Sequence, residues 1–234
     1  MLDFGFYNMD CMQGMAEFPD KYFDLAIVDP PYGDGGGTWS GPERFGQRFD
    51  RYRAPAFTGN STPSPTGGIP NSSEVRKNII AWDIAPGEEY FKELFRVSRN
   101  QIIWGGNYFT LPPTRCFLIW RKTNVPYDFS MAMAEYAWTS FNGNAKVFDF
   151  SAVGQEGRFH PTQKPVRLYT WLLNNFAERG YRILDTHVGS ASSLIACERM
   201  GFKYVGFEID EDYYRLAKER LDEECKQIAW DLLP

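Results

Sequence analysis

Phe23-Asp24-Leu25-Ala26-Ile27-Val28, followed at once by Asp29-Pro30-Pro31-Tyr32-Gly33, is the stretch on which the fold turns. A short, nearly continuous apolar run of this kind reads as a strand buried on both faces of a parallel sheet. It stops abruptly. Two prolines fix φ and withhold two N–H donors, so the chain leaves the sheet with a carboxylate and an aromatic ring at the strand's mouth. Such a mouth suits a planar amine. A second break lies far along the chain, where Tyr181-Arg182-Ile183-Leu184 runs into Asp185-Thr186-His187-Val188-Gly189-Ser190 and then a helix.

Outward from these two points, the pattern predicts alternating strands and helices. Strands are expected at 4–7, 23–28, 101–104, 116–120, within 131–141, at 182–184 and at 204–207. Helices are expected within 9–18, opening at Asp10, and at 88–97, 166–178, 192–200 and 213–229. The predicted fold is α/β, a mostly parallel sheet with helices on both faces. The 234 residues, 43% hydrophobic, suit a single domain spanning 1–234. Between about 34 and 80 the periodicity collapses into Gly, Pro, Ser, Thr and Asn, which reads as a long inserted loop.

The formal net charge of −5 argues against general attraction to nucleic acid. The inserted loop is the exception, with six basic residues against four acidic ones between Gly33 and Asn78. The four cysteines are widely spaced without a CxxC, so neither a disulfide framework nor a zinc site is expected. Two isolated histidines, His160 and His187, are not expected to bind a metal. No stretch approaches the length needed to span a bilayer and no basic n-region opens the chain, so a cytoplasmic protein with no membrane partner is expected.

The second break carries the features of a nucleoside-cofactor site. Asp185 and Gly189 sit where a strand ends, glycine permits close backbone approach, and the following helix presents N–H groups to an anion. About 20 residues on, the next strand ends at Glu208, placed to accept hydrogen bonds from ribose hydroxyls. Neither G-x-G-x-x-G nor a phosphate-binding P-loop is present, against a dinucleotide or a triphosphate. At the first break, Asp29 and the Pro30 carbonyl could accept the two protons of an exocyclic amine, and Tyr32 could stack on its ring.

Together these motifs resemble the amino-group DNA methyltransferases, in the β-class order where the catalytic motif precedes the cofactor motif, a circularly permuted Rossmann-like fold. Asp29-Pro30-Pro31-Tyr32 matches the catalytic element, Tyr7-Asn8-Met9-Asp10-Cys11 a cofactor-adenine motif, and His160-Pro161-Thr162-Gln163-Lys164-Pro165 the element before the cofactor strand. The resemblance implies S-adenosylmethionine as cofactor, held by Asp10, Cys11, Asp29, Thr162, Lys164, Asp185, Thr186, Gly189, Ser190, Ser192, Glu208 and Ile209. Catalysis falls to Asp29, Pro30, Pro31 and Tyr32. The implied reaction is methylation of adenine N6 in double-stranded DNA after base flipping; cytosine-N4 methylation and a non-catalytic DNA-binding partner subunit stand as alternatives. Arg44, Arg48, Arg51 and Arg53 are the candidate DNA contacts, and 142–159 a short target-recognition region. The resemblance also brings a homodimer and a cognate restriction enzyme into view. The cofactor loop departs from the family's usual D-P-F-x-G-S-G-T: His187 replaces an aromatic and Ala191 a glycine.

Overall fold

A computed structural model describes residues 1–33, 84–126, 132–151, 160 and 163–231. The chain divides into two compact units, Met1–Pro30 with Pro86–Pro234, and Pro31–Ala85. Every described strand and helix belongs to the first. In chain order these are β1 (Gly5–Asn8), α1 (Cys11–Ala16), β2 (Phe23–Val28), α2 (Glu88–Val97), β3 (Ser98–Trp104), β4 (Leu118–Lys122), β5 (Ala134–Thr139), β6 (Lys146–Phe150), α3 (Val166–Phe176), β7 (Arg182–Asp185), α4 (Ser192–Met200), β8 (Lys203–Glu208) and α5 (Glu211–Asp231).

The strands form one sheet in the order β1-β8-β7-β2-β3-β5-β4-β6. All pairings are parallel except those of β5, which runs against both β3 and β4. Period-two alternation sends successive side chains of each central strand to opposite faces. Ala26 and Val28 of β2, Ile103 of β3 and Leu184 of β7 join the core cluster that includes Tyr90, Phe91 and Leu94 of α2. Leu25, Ile27, Ile102, Trp104 and Ile183 join the cluster built on Leu168 and Leu172 of α3 and Ala196 of α4. Continuous apolar strands are thus the sequence signature of a sheet covered on both sides.

Local chemistry explains the element ends. Asp10 caps α1, its Oδ1 accepting the backbone N–H groups of Met12 at 2.8 Å and Gln13 at 3.2 Å. A Cβ on Gly14 of that helix would meet the ring of Phe207 at 2.3 Å, so glycine is what lets α1 lie on β8. At the far end of α2 no loop intervenes. Ser98 is both its C-cap and the first residue of β3, and the Ser98 hydroxyl donates to the Leu94 carbonyl.

The expected fold class is observed, including the catalytic-strand-first order of β2 before β7. One strand went unpredicted. Lys146–Phe150, inside the polar stretch read as a recognition region, pairs with β4 as the edge of the sheet. Its residues alternate between more and less exposed, without the apolar run that marked the central strands. The arginines of the inserted loop, Thr162 and residues 152–159 lie outside the described residues. Among those described, no helix is long and apolar enough to cross a membrane.

Candidate active site

The parallel strands β1, β8, β7, β2 and β3 all end on one edge of the sheet, and β7 lies beside β2. That adjacency brings the two sequence breaks together: Asp29 and Pro30 leave the end of β2 next to the loop Thr186–Ala191 that leaves β7. Asp29 continues the odd-numbered face of Leu25 and Ile27, the face covered by α3. The rest of the catalytic motif, Pro31 and Tyr32, opens the second unit.

On the Asp29 side the geometry is ionic. The ammonium of Lys164, just before α3, donates to Asp29 Oδ2 and lies 3.1 Å from Glu135 Oε2. Glu135 Oε1 in turn lies 2.7 Å from Lys122 Nζ. Lys164 has a side chain only 3% exposed and sits over the Trp104 ring, 5.5 Å from its centroid. Burial works against its charge, but the carboxylates of Asp29 and Glu135 outweigh that and raise its pKa. Burial likewise disfavours the ionised Glu135, yet the ammonium groups of Lys164 and Lys122 hold its pKa below the ordinary value.

The cofactor-loop side is satisfied by neutral donors. Asp185, 2% exposed, accepts the Ser193 hydroxyl and, at 3.0 Å, the backbone N–H of His187. Burial pushes its pKa up to about 7 despite those hydrogen bonds. Glu208 accepts the N–H of Gly189 at 2.9 Å on one oxygen and that of Asp210 at 3.0 Å on the other, tying the end of β8 to the loop; burial raises its pKa too. Among the described residues, neither Asp185 nor Glu208 has a Lys or Arg at ion-pair distance. Gly189 has φ +54°, and a Cβ there would come within 3.4 Å of the His160 ring, so glycine serves both conformation and space. Ala191 adopts φ 61° at the N-cap of α4, where a glycine would sit without strain.

Other residues singled out from the sequence lie on or near this loop. The Thr186 hydroxyl bonds Tyr90 at 2.6 Å and His187 Nδ1 at 2.9 Å. The His187 ring meets Tyr90 edge-on, and burial drives its pKa down to about 4, so the imidazole is neutral at pH 7. Ser190 and Ser192 are buried with their hydroxyls 3.1 Å apart. Asp10 and Cys11 stand at the start of α1, and burial with the nearby Asp10 charge pushes the Cys11 thiol up to about 12. Ile209, after β8, is 62% exposed.

Four residues at this edge were not singled out from sequence. Glu135 and Lys122 complete the charge chain. Tyr90 backs the loop from α2, and Arg220 of α5 locks it by donating to the Ser190 carbonyl at 2.6 Å and the Ser192 hydroxyl at 3.0 Å. Glu135 carried one signal, a lone acid within an otherwise uncharged strand segment. Arg220 carried none, because an arginine on an amphipathic helix reads as solvated.

Comparison with known proteins places this arrangement. A family model described as "DNA methylase", of the N6/N4 methyltransferases, matches residues 119–219. YubD of Escherichia coli (strain K12) is 25% identical over 92% of this chain and 89% of its own length. The type II methyltransferase M2.DpnII of Streptococcus pneumoniae is 23% identical over 93% of this chain and 89% of its own. In fold, the chain resembles the crystal structure of the M1.HpyAVI–SAM complex, with TM-score 0.54, 17% identity, and 93% of this chain and 98% of that one covered. It also resembles the PvuII DNA methyltransferase, cytosine-N4-specific, with TM-score 0.53 and 11% identity over 97% of this chain and 93% of that one. The resemblance to the amino-group DNA methyltransferases is borne out, and the fold is the Rossmann-like one of those enzymes.

Proposed function

We propose that the protein uses S-adenosylmethionine to methylate the exocyclic N6 of adenine in double-stranded DNA. The observation that carries this is the adjacency of β2 and β7, which sets Asp29 and Pro30 beside the loop of Asp185 and Gly189 on one sheet edge. The loop suits the cofactor. Asp185 is a buried acceptor and Glu208 a half-buried one, neither with a cationic partner among the described residues, and Gly189 leaves room for close approach. When bound, the cofactor supplies a methyl group on a positively charged sulfur.

Glu208 would hold the ribose hydroxyls, Asp10 and Ile209 the adenine end, and the loop 185–192 the amino-acid end. Cys11, Thr162 and Lys164 complete the proposed set, with Lys164 acting through Asp29. The amine of a flipped base is a weak nucleophile because its lone pair is delocalised into the ring. Asp29 and the Pro30 carbonyl accept its two N–H groups, fixing the nitrogen so that its lone pair faces the methyl carbon. The nitrogen would take the methyl that the cofactor's sulfur releases, and the surplus N–H proton would pass to the Asp29 carboxylate that already accepts it. Pro31 stiffens this backbone and Tyr32 stacks on the base. Aspartate at the first motif position supports adenine over cytosine. Arg44, Arg48, Arg51 and Arg53 are proposed phosphate and groove contacts. A homodimer sharing recognition and a companion restriction enzyme would fit a cytoplasmic modification enzyme of this kind.

Nucleoside mass spectrometry tests the reading on unmethylated duplex DNA incubated with protein and S-adenosylmethionine. N6-methyladenine is expected, with a loss of at least about 100-fold in Asp29→Ala. N4-methylcytosine would transfer the assignment to cytosine. No methylated base from folded protein would overturn it.

A further inference from the structure

We propose that Glu135 is a positioning residue for Asp29, acting through the Lys164 ammonium that the two carboxylates share. The inference rests on the reading of Asp29 as acceptor of the substrate amine. It starts from topology. Because β5, alone among the described strands, runs backwards, its first residues arrive at the edge where the parallel strands end. Glu135 pairs with Trp120, so it shares a face with Trp120 and Lys122 of β4, the face that also carries Trp104 and Asp29.

On that face two ammonium and two carboxylate groups alternate in the order Lys122, Glu135, Lys164, Asp29. This run of four charges is neutral, which is what makes a buried lysine tolerable there. An ammonium has three N–H donors and no directional preference as rigid as that of a guanidinium. If Glu135 did not engage it, Lys164 would settle wholly on Asp29 and compete with the amine for the same carboxylate. Glu135 draws the ammonium to one side, while the Trp104 ring limits its travel on another. Lys122, over the Trp120 ring at 5.1 Å, holds Glu135 in turn. Lys164 therefore orients Asp29 through Oδ2 while Glu135 shares its ammonium.

The test is a double-mutant cycle on the full-length protein: wild type, Glu135→Gln, Lys164→Met and the double variant, compared by kcat for DNA methylation and by calorimetric binding of S-adenosylmethionine. Glu135→Gln should lower kcat about 10- to 100-fold while cofactor binding stays within about twofold, and it should have no further effect when Lys164 is already Met. Glu135→Asp, which keeps the charge, should recover most of the loss, and this holds the test open if Lys164→Met fails to fold. Unchanged kcat in Glu135→Gln, effects that multiply undiminished in the double variant, or a Glu135→Asp as slow as Glu135→Gln would each overturn the inference. A parallel loss of cofactor binding would do the same, since it marks a merely structural role. Wild type that methylates no DNA would overturn the reading of Asp29 and this inference together, an outcome distinct from the others.

Discussion

The two ends of the site hold their carboxylates by opposite means. Around Asp29 and Glu135, half-buried charge is matched by opposite charge, with the buried Lys164 and with Lys122 interleaved. Around Asp185 and Glu208, backbone N–H groups and a hydroxyl do the work and the pKa values rise. The first arrangement is complete in itself and fixes a geometry. Among the described residues no cation offsets the second, so under the proposed function a ligand bringing positive charge and hydroxyl donors, as S-adenosylmethionine does, would be drawn to that end.

Removing the shared cation should break the comparison most visibly. Lys164→Met removes a buried ammonium from two half-buried carboxylates and should cost roughly 3 kcal/mol of unfolding free energy in urea titration. A loss under 1 kcal/mol would mean that the Asp29 end is held no more ionically than the other.

Protonation sharpens the contrast next. Asp185 has a native pKa near 7 against 3.8 for the free side chain, so its contribution favours the folded state at low pH and is lost as pH rises between those values. His187 runs the other way: with a native pKa near 4 against 6.5, it removes stability as pH falls through that window. The two slopes oppose each other around pH 5. His187→Phe keeps a ring against Tyr90 but removes one slope, and should gain roughly 2 kcal/mol on wild type between pH 8 and pH 5. Parallel pH–stability curves for the two proteins would show that His187 is not buried neutral.

The smallest effect concerns the loop's strain. Ala191→Gly relieves a left-handed alanine and should stabilise the protein by about 1 kcal/mol, less what glycine's unfolded freedom takes back. In melting temperature this is a rise of about 2–4 °C. A fall would show that the alanine methyl, fully buried in the cluster with Val188 and Leu194, packs more favourably than its backbone is strained.

Much of this was legible in the sequence because it is local. Apolar runs broken by Asp-Pro-Pro-Tyr or by small residues mark strand ends, and strand ends on a parallel sheet share an edge. What escaped is non-local. Glu135 matters only because β5 is reversed, and no feature within 134–139 announces its direction. The ammonium of Lys164 lies on Glu135 and on Asp29, the latter 135 residues away, a pairing that spacing cannot encode. Strand β6 was hidden by its edge position, where polar residues are normal.

The first strand also has a consequence for how the molecule is made. Strand β1 pairs with β8, about 200 residues later, and β2 pairs with β7 across nearly 160. At ribosomal speeds of about 5–20 residues per second, β1 emerges roughly 10–40 s before its partner exists. The half of the sheet bearing Asp29 can gather with β3 early, while the half bearing Asp185 and Glu208 closes last. A nascent chain interrupted before β7 would therefore expose the β2 edge, and it is there that a chaperone, or another unfinished copy, would find purchase.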